Sequence, residues 1–162
     1  MKEILLIRHG KSSWKYDVPD YDRPLKDRGR EDSNLVAKAL AMKEDISHVV
    51  FSSPAKRALS TCKIFTNSLG ISEDNITIVE DLYDFDGRNV INFMKSLPNE
   101  LNKVMIFGHN HAFTSISNIF GDTFIDNLPT SGLVKLIFNI EDWKDLEKGR
   151  TEFIIIPKDL KE

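Results

Sequence analysis

Short apolar runs alternate along this chain with longer stretches in which apolar residues recur every three or four positions. The runs have strand length and the periodic stretches have helical spacing. Strands are expected over Glu3–Arg8, His48–Ser52, Ile76–Val79, Val104–Phe107, Val134–Ile140 and Glu152–Ile156, with a turn at Trp143–Gly149 between the last two. Helices are expected over Asp27–Lys43, where Leu35, Val36, Ala39 and Leu40 fall at helical spacing, over Asn89–Leu97 before Pro98, and over Asn110–Phe120 before Gly121. A further helix takes Ser53 as N-cap and Pro54 as its first residue, and stops at Gly70. This alternation predicts a three-layer α/β/α sandwich with a mostly parallel central sheet, as a single domain over 1–162. Between the first strand and the first helix, Lys11 to Lys26 is polar and reads as a loop over the mouth of a pocket. Its acidic run Asp17–Asp22 reads as solvated, able at most to steer basic partners.

Composition narrows the class. The chain has 162 residues, 41% hydrophobic and 29% charged, which fits an ordinary globular domain and excludes a disordered one. A net charge of −3 argues against a general nucleic-acid binder. The one cysteine, Cys62, leaves no internal disulfide and falls within a predicted helix, where a packed small residue is expected rather than a reactive thiol. Met1-Lys2-Glu3 leads into an apolar run far shorter than a signal sequence or a membrane span, so a cytoplasmic monomer with no membrane partner is expected.

Candidate chemistry collects at the ends of two apolar runs. Ile4-Leu5-Leu6-Ile7 is followed by Arg8-His9-Gly10, and Val104-Met105-Ile106-Phe107 by Gly108-His109-Asn110. In an open α/β sheet ligands bind at the carboxyl ends of the strands, so both imidazoles are expected in one pocket. A neutral imidazole is a good nucleophile near neutral pH, which fits His9 for attack on phosphorus. A phosphate dianion repels a nucleophile unless its oxygens are neutralised, and the planar arginine fork binds two oxygens at once. Arg8 reaches the same group only if the strand ends there and the chain bends, for which Gly10 is suited. Arg57, in the first turn of the helix after the second strand, adds charge at a helix N-terminus. His109 is placed to donate to a phosphoryl oxygen.

These residues resemble the histidine phosphatase (phosphoglycerate-mutase-like) superfamily, whose pattern is an early Arg-His-Gly, an arginine after the second strand and a late Gly-His. The stretches Leu6-Ile7-Arg8-His9-Gly10-Lys11-Ser12-Ser13-Trp14, Asp22-Arg23-Pro24-Leu25 with Arg28-Gly29, and Ser52-Ser53-Pro54-Ala55-Lys56-Arg57-Ala58 look like the SixA-type phosphohistidine phosphatases. Asp81-Leu82-Tyr83, Gly108-His109-Asn110 and Leu128-Pro129-Thr130 extend the likeness along the chain. The resemblance implies a phosphoglycerate-mutase-like fold and a hydrolase that needs neither metal nor other cofactor. It also implies a phosphohistidine intermediate on His9, with Arg8, Arg57 and His109 binding the phosphoryl group. Its partner would be a protein bearing phosphohistidine or, alternatively, a small phosphate ester.

Other positions stay open. Gly10, Arg23, Asn110 and Thr130 are candidate substrate contacts; Arg23 serves equally as a pin for its loop, and Thr130 as a cap. Glu80 and Asp81 are both candidates for the general acid that many superfamily members use on an alkoxide leaving group, and spacing does not choose between them. Imidazole, with a conjugate acid near pKa 6.5, leaves without such help. Family members often read Gly-His-Asn-Pro, whereas His111 follows Asn110 here. His109 and His111 are two apart and share no helix face, so no metal site is expected. His48 is expected to be structural. A phosphoryl-binding domain without turnover is the alternative from another class, and the intact His9 weighs against it.

Overall fold

In a computed structural model, which describes residues 1–161, a six-stranded sheet runs through the molecule. Its strands are β1 (Lys2–Arg8), β2 (Val49–Ser52), β3 (Ile76–Ile78), β4 (Lys103–Gly108), β5 (Leu133–Phe138) and β6 (Arg150–Ile155), in spatial order β3-β2-β4-β1-β5-β6. β1 and β2 both pair in parallel with β4, β3 in parallel with β2, and β5 runs antiparallel to both β1 and β6. The helices are α1 (Asp27–Lys43), α2 (Lys56–Leu69), α3 (Arg88–Lys95), α4 (Ala112–Phe120) and α5 (Pro157–Leu160). The expected sandwich, with its mostly parallel sheet, is the architecture found.

Period-two alternation along the central strands assigns residues to two cores. Ile4 and Leu6 of β1 join Val104 and Ile106 of β4 beneath α3 and α4, with Val90, Met94, Phe113 and Ile116. Leu5 and Ile7 join Met105 and Phe107 on the other face, against Val36, Ala37 and Leu40 of α1 and Cys62 and Phe65 of α2. Both faces are covered, which is why β1 and β4 read as unbroken apolar runs. Each such Leu, Ile or Phe contributes about 1.5–3 kcal/mol of burial. Cys62 is fully buried and its thiol pKa is pushed up to about 12 by burial, so it is a packed residue.

Several boundaries differ from expectation. β2 starts at Val49, and His48 just before it is buried and bonds to Glu3 (Nε2 to Oε2, 2.7 Å). α2 begins at Lys56 with Ala55 as N-cap; Ser53, the expected cap, lies two residues earlier. Its hydroxyl is used instead by the Ala55 N–H and by His109. α4 starts at Ala112 rather than Asn110, whose side chain accepts from Thr114 N–H and hydroxyl. Gly70 stops α2 as expected, in the left-handed region at φ 72°. α5 was not expected; Pro157 at its first position starts it. On the α1 side of β5, the Lys135 ammonium stands within 3.2 Å of Glu3, 2.7 Å of Glu44 and 2.8 Å of Glu152. Among the described residues no helix is long and apolar enough to cross a membrane.

Candidate active site

Strand register brings the two sequence-distant histidines together. β1 and β4 pair in parallel with Arg8 opposite Gly108, and the His9 N–H continues the ladder to the Gly108 carbonyl (3.0 Å). His9 and His109 therefore leave the carboxyl ends of neighbouring strands side by side, with ring centroids 5.3 Å apart. β2 adds a third strand end: Ser53 N–H donates to the Phe107 carbonyl (2.9 Å), and the chain turns from there into α2 and Arg57.

The His9 ring is fixed in one tautomer. Nδ1 lies 2.7 Å from the Gly10 carbonyl, which can only accept, so Nδ1 carries the proton and Nε2 the lone pair. That lone pair faces Arg57 Nε at 3.4 Å. Burial, reinforced by the positive charges of Arg57, Arg8 and Arg23, lowers the His9 pKa to about 3. His9 is thus neutral at physiological pH. Gly10 was expected to permit a bend, but its φ is not positive. It is required by close packing: an added Cβ would lie 2.8 Å from Gly29 O and 2.9 Å from Ser33 Oγ. Its N–H donates to Thr61 Oγ1 (2.9 Å), so both of its backbone groups serve to hold His9 in place.

Three guanidinium groups surround this ring. Arg8, at the last position of β1, lines the same cavity as His9 and donates through Nη1 to the Leu128 carbonyl (2.7 Å), while its buried Nε has no partner. Arg57, 1% exposed, comes from the first turn of α2. Arg23 lines the cavity and pins its loop, donating to Asp20 Oδ1 (3.1 Å) and Ser12 Oγ (2.6 Å), with its guanidinium 3.6 Å over the Trp14 ring. The cavity measures about 480 Å³ and its rim carries exposed Trp14 and Phe85. Asn110 and Thr130 line it as well; Asn110 Nδ2 is tied to Asn127 (2.7 Å).

His109 lies behind His9, fully buried, and does not itself line the cavity. The Ser53 hydroxyl accepts the Ala55 N–H (3.2 Å) and shares a hydrogen bond with His109 Nε2 (2.9 Å). The other ring nitrogen, Nδ1, is buried without a partner. Burial, with His9 and Arg57 close by, lowers the His109 pKa to about 2. His111, by contrast, is exposed.

Glu80 and Asp81 form a 3-10 turn after β3, and neither lines the cavity. The carboxylate that does is Asp20, from the acidic run expected to be solvated. Asp20 accepts from Arg57 Nη2 at Oδ2 (2.9 Å), from Arg57 Nη1 at its carbonyl (2.6 Å) and from the Tyr83 hydroxyl (2.6 Å). These bonds outweigh partial burial and hold its carboxyl at a pKa of about 2. Asp20, Ser53 and Tyr83 are the site residues that sequence reasoning missed; only a proline-flanked acid near a predicted pocket loop hinted at the first.

At the strand ends of this α/β sheet an imidazole lone pair stands beside three arginines, one from β1, one from α2 and one from the loop between β1 and α1, an arrangement of groups able to hold an anion. A family model described as histidine phosphatase superfamily (branch 1) matches residues 4–90, and the chain belongs to this superfamily. Phosphoglycerate mutase-like protein 4 of Arabidopsis thaliana is 38% identical over 71 residues, spanning 42% of this chain and 30% of that protein. Uncharacterized protein ML1117 of Mycobacterium leprae (strain TN) is 28% identical over 162 residues, spanning 91% of this chain and 96% of that one. In fold, the chain is similar to the protein histidine phosphatase SixA complexed with tungstate, with a TM-score of 0.80, 22% identity and coverage of 98% and 99%. It is also similar to the putative phosphohistidine phosphatase SixA of Agrobacterium tumefaciens (TM-score 0.78, 22% identity, coverage 96% and 98%). A lower likeness is to a mycobacterial glucosyl-3-phosphoglycerate phosphatase, with a TM-score of 0.68 and 10% identity.

Proposed function

We propose that this protein is a metal-independent phosphatase that transfers a phosphoryl group to His9 Nε2 and then to water, acting on phosphohistidine carried by another protein. The reading rests above all on the fixed His9 tautomer, with Nδ1–H on the Gly10 carbonyl and the Nε2 lone pair beside Arg57 Nε. In the first step His9 Nε2 forms a bond to phosphorus as the bond to the substrate imidazole breaks. A substrate ring protonated on its other nitrogen departs as neutral imidazole, so no side chain has to protonate the breaking bond. In the second step water attacks phosphorus and passes one proton to a phosphoryl oxygen, while His9 departs. Because Gly10 O keeps the Nδ1 proton in place, His9 also leaves as neutral imidazole. Arg57 and Arg8 stabilise the charge on the phosphoryl oxygens in both steps, and the unpartnered Arg8 Nε is a donor available to them.

The preference for P–N over P–O cleavage follows from the acids. Glu80 and Asp81 lie off the cavity, and Asp20 is ionised down to a pKa of about 2, so no carboxylic acid stands ready for an alkoxide. An exposed aromatic rim also suits a ligand displayed on a protein surface. The test compares turnover of a phosphohistidine protein with that of sugar phosphates. Phosphohistidine is expected to be favoured by orders of magnitude; the reverse order would refute the reading.

A further inference from the structure

Both terminal nitrogens of Arg57 are committed, and to a single residue. Nη1 donates to the Asp20 carbonyl and Nη2 to Asp20 Oδ2, so that only Nε faces His9. The other carboxylate oxygen, Oδ1, accepts from Arg23 Nε at 3.1 Å. One carboxylate therefore bridges two of the guanidinium groups around His9, from a position on the wall of the same cavity. Bridging two guanidinium groups is what a phosphoryl group does in a bidentate clamp.

The loop that carries Asp20 is tied to the rest of the molecule at few polar points. Its neck is closed by Ser13 N–H to the Pro24 carbonyl and by Lys26 N–H to the Lys11 carbonyl, both 2.8 Å. Beyond that neck, among the described residues, the hydrogen bonds tying 15–22 to the sheet-and-helix body all end on Asp20, from Arg57 and Tyr83. A loop with fixed ends and one polar tether at its tip can be released by breaking that tether.

We propose that Asp20 is the resident anion of the phosphoryl clamp: its carboxylate stands on Arg57 and Arg23 in the free protein and exchanges with the incoming phosphoryl group. This rests on the phosphatase reading above and adds to it the residue that sets the site's affinity for phosphate. A carboxylate brings one charge and two oxygens, whereas a phosphoryl dianion brings two charges and three oxygens. The dianion therefore wins the guanidinium groups, and repulsion between the two anions drives the carboxylate off. The displaced Asp20 and Tyr83 are solvated, and the loop tip is freed. Every bound phosphate works against the returning carboxylate, which speeds release of the product.

The test is calorimetric titration of inorganic phosphate into the wild-type protein, Asp20→Asn and Asp20→Ala near neutral pH, with near-UV circular dichroism to check the fold. Both variants are expected to bind phosphate at least about tenfold more tightly, equivalent to about 1.4 kcal/mol. Phosphate inhibition of turnover should tighten in step. Should the two differ, Asp20→Asn decides, because it keeps the shape and removes only the charge. Equal or weaker binding in a folded Asp20→Asn protein would overturn the proposal and make Asp20 a positioning residue for Arg57. Phosphohistidine turnover by the wild-type protein, measured on the same samples, separates this outcome from a failure of the phosphatase reading itself.

Discussion

Acidification should unfold this protein through the two buried histidines of the candidate active site. His9 and His109 are buried beside arginines, and their pKa values fall to about 3 and about 2. In the unfolded chain both titrate at an ordinary value of about 6.5. Below that pH the unfolded state binds protons that the folded state refuses, so stability is full above about pH 6.5 and falls as pH drops towards 3. Integrating the linkage from about pH 7 to about pH 5 gives a loss of about 2 kcal/mol for each ring, or about 4 kcal/mol for the two. Against a typical domain stability of about 5–15 kcal/mol, that loss is large. The assay is urea unfolding at both pH values for the wild-type protein, His9→Gln and His109→Gln. Contributions from His48, whose pKa is also lowered by burial, are common to all three and cancel. Each variant should lose about 2 kcal/mol less than wild type on acidification. Equal losses in all three proteins would refute the claim that these rings are held neutral.

Further outcomes follow from individual contacts. Arg57→Lys keeps the charge but loses the fork that meets both His9 and Asp20, and single-turnover phosphorylation of His9 should slow by about 10²–10³-fold in rapid-quench measurements. Gly10→Ala forces a Cβ against Gly29 O and Ser33 Oγ, and should lower stability by about 1–3 kcal/mol in urea titrations. Glu80→Gln and Asp81→Asn, both off the cavity, should leave steady-state phosphohistidine turnover within about twofold of wild type. Lys135→Met leaves the Glu3, Glu44 and Glu152 carboxylates repelling one another around an apolar side chain, and should cost about 1–3 kcal/mol by chemical unfolding.

The parts of this molecule legible in its sequence are those set by local pattern. Apolar runs announced β1 and β4, and helical spacing announced α1 to within its observed ends. The histidines could be placed because each directly follows such a run, and strand ends are where open sheets bind ligands. What the sequence concealed depends on contacts between distant positions. Asp20 looks like one acid among several in a loop until Arg57, 37 residues on, and Tyr83, 63 residues on, are brought against it. Ser53 reads as a helix cap, but His109 draws its hydroxyl away and the helix starts later. Lys135 interrupts an apolar strand for reasons visible only once Glu3, Glu44 and Glu152 converge on it.

The most direct test of the account is the linkage of the phosphoenzyme. Protein carrying ¹⁵N-labelled histidine, trapped with a phosphoryl donor, should show one acid-labile phosphoryl group on His9 Nε2, with Nδ1 still protonated, by ¹H–¹⁵N and ³¹P NMR, and none in His9→Ala. Phosphorylation at Nδ1, on another residue, or on no residue during active turnover would contradict it.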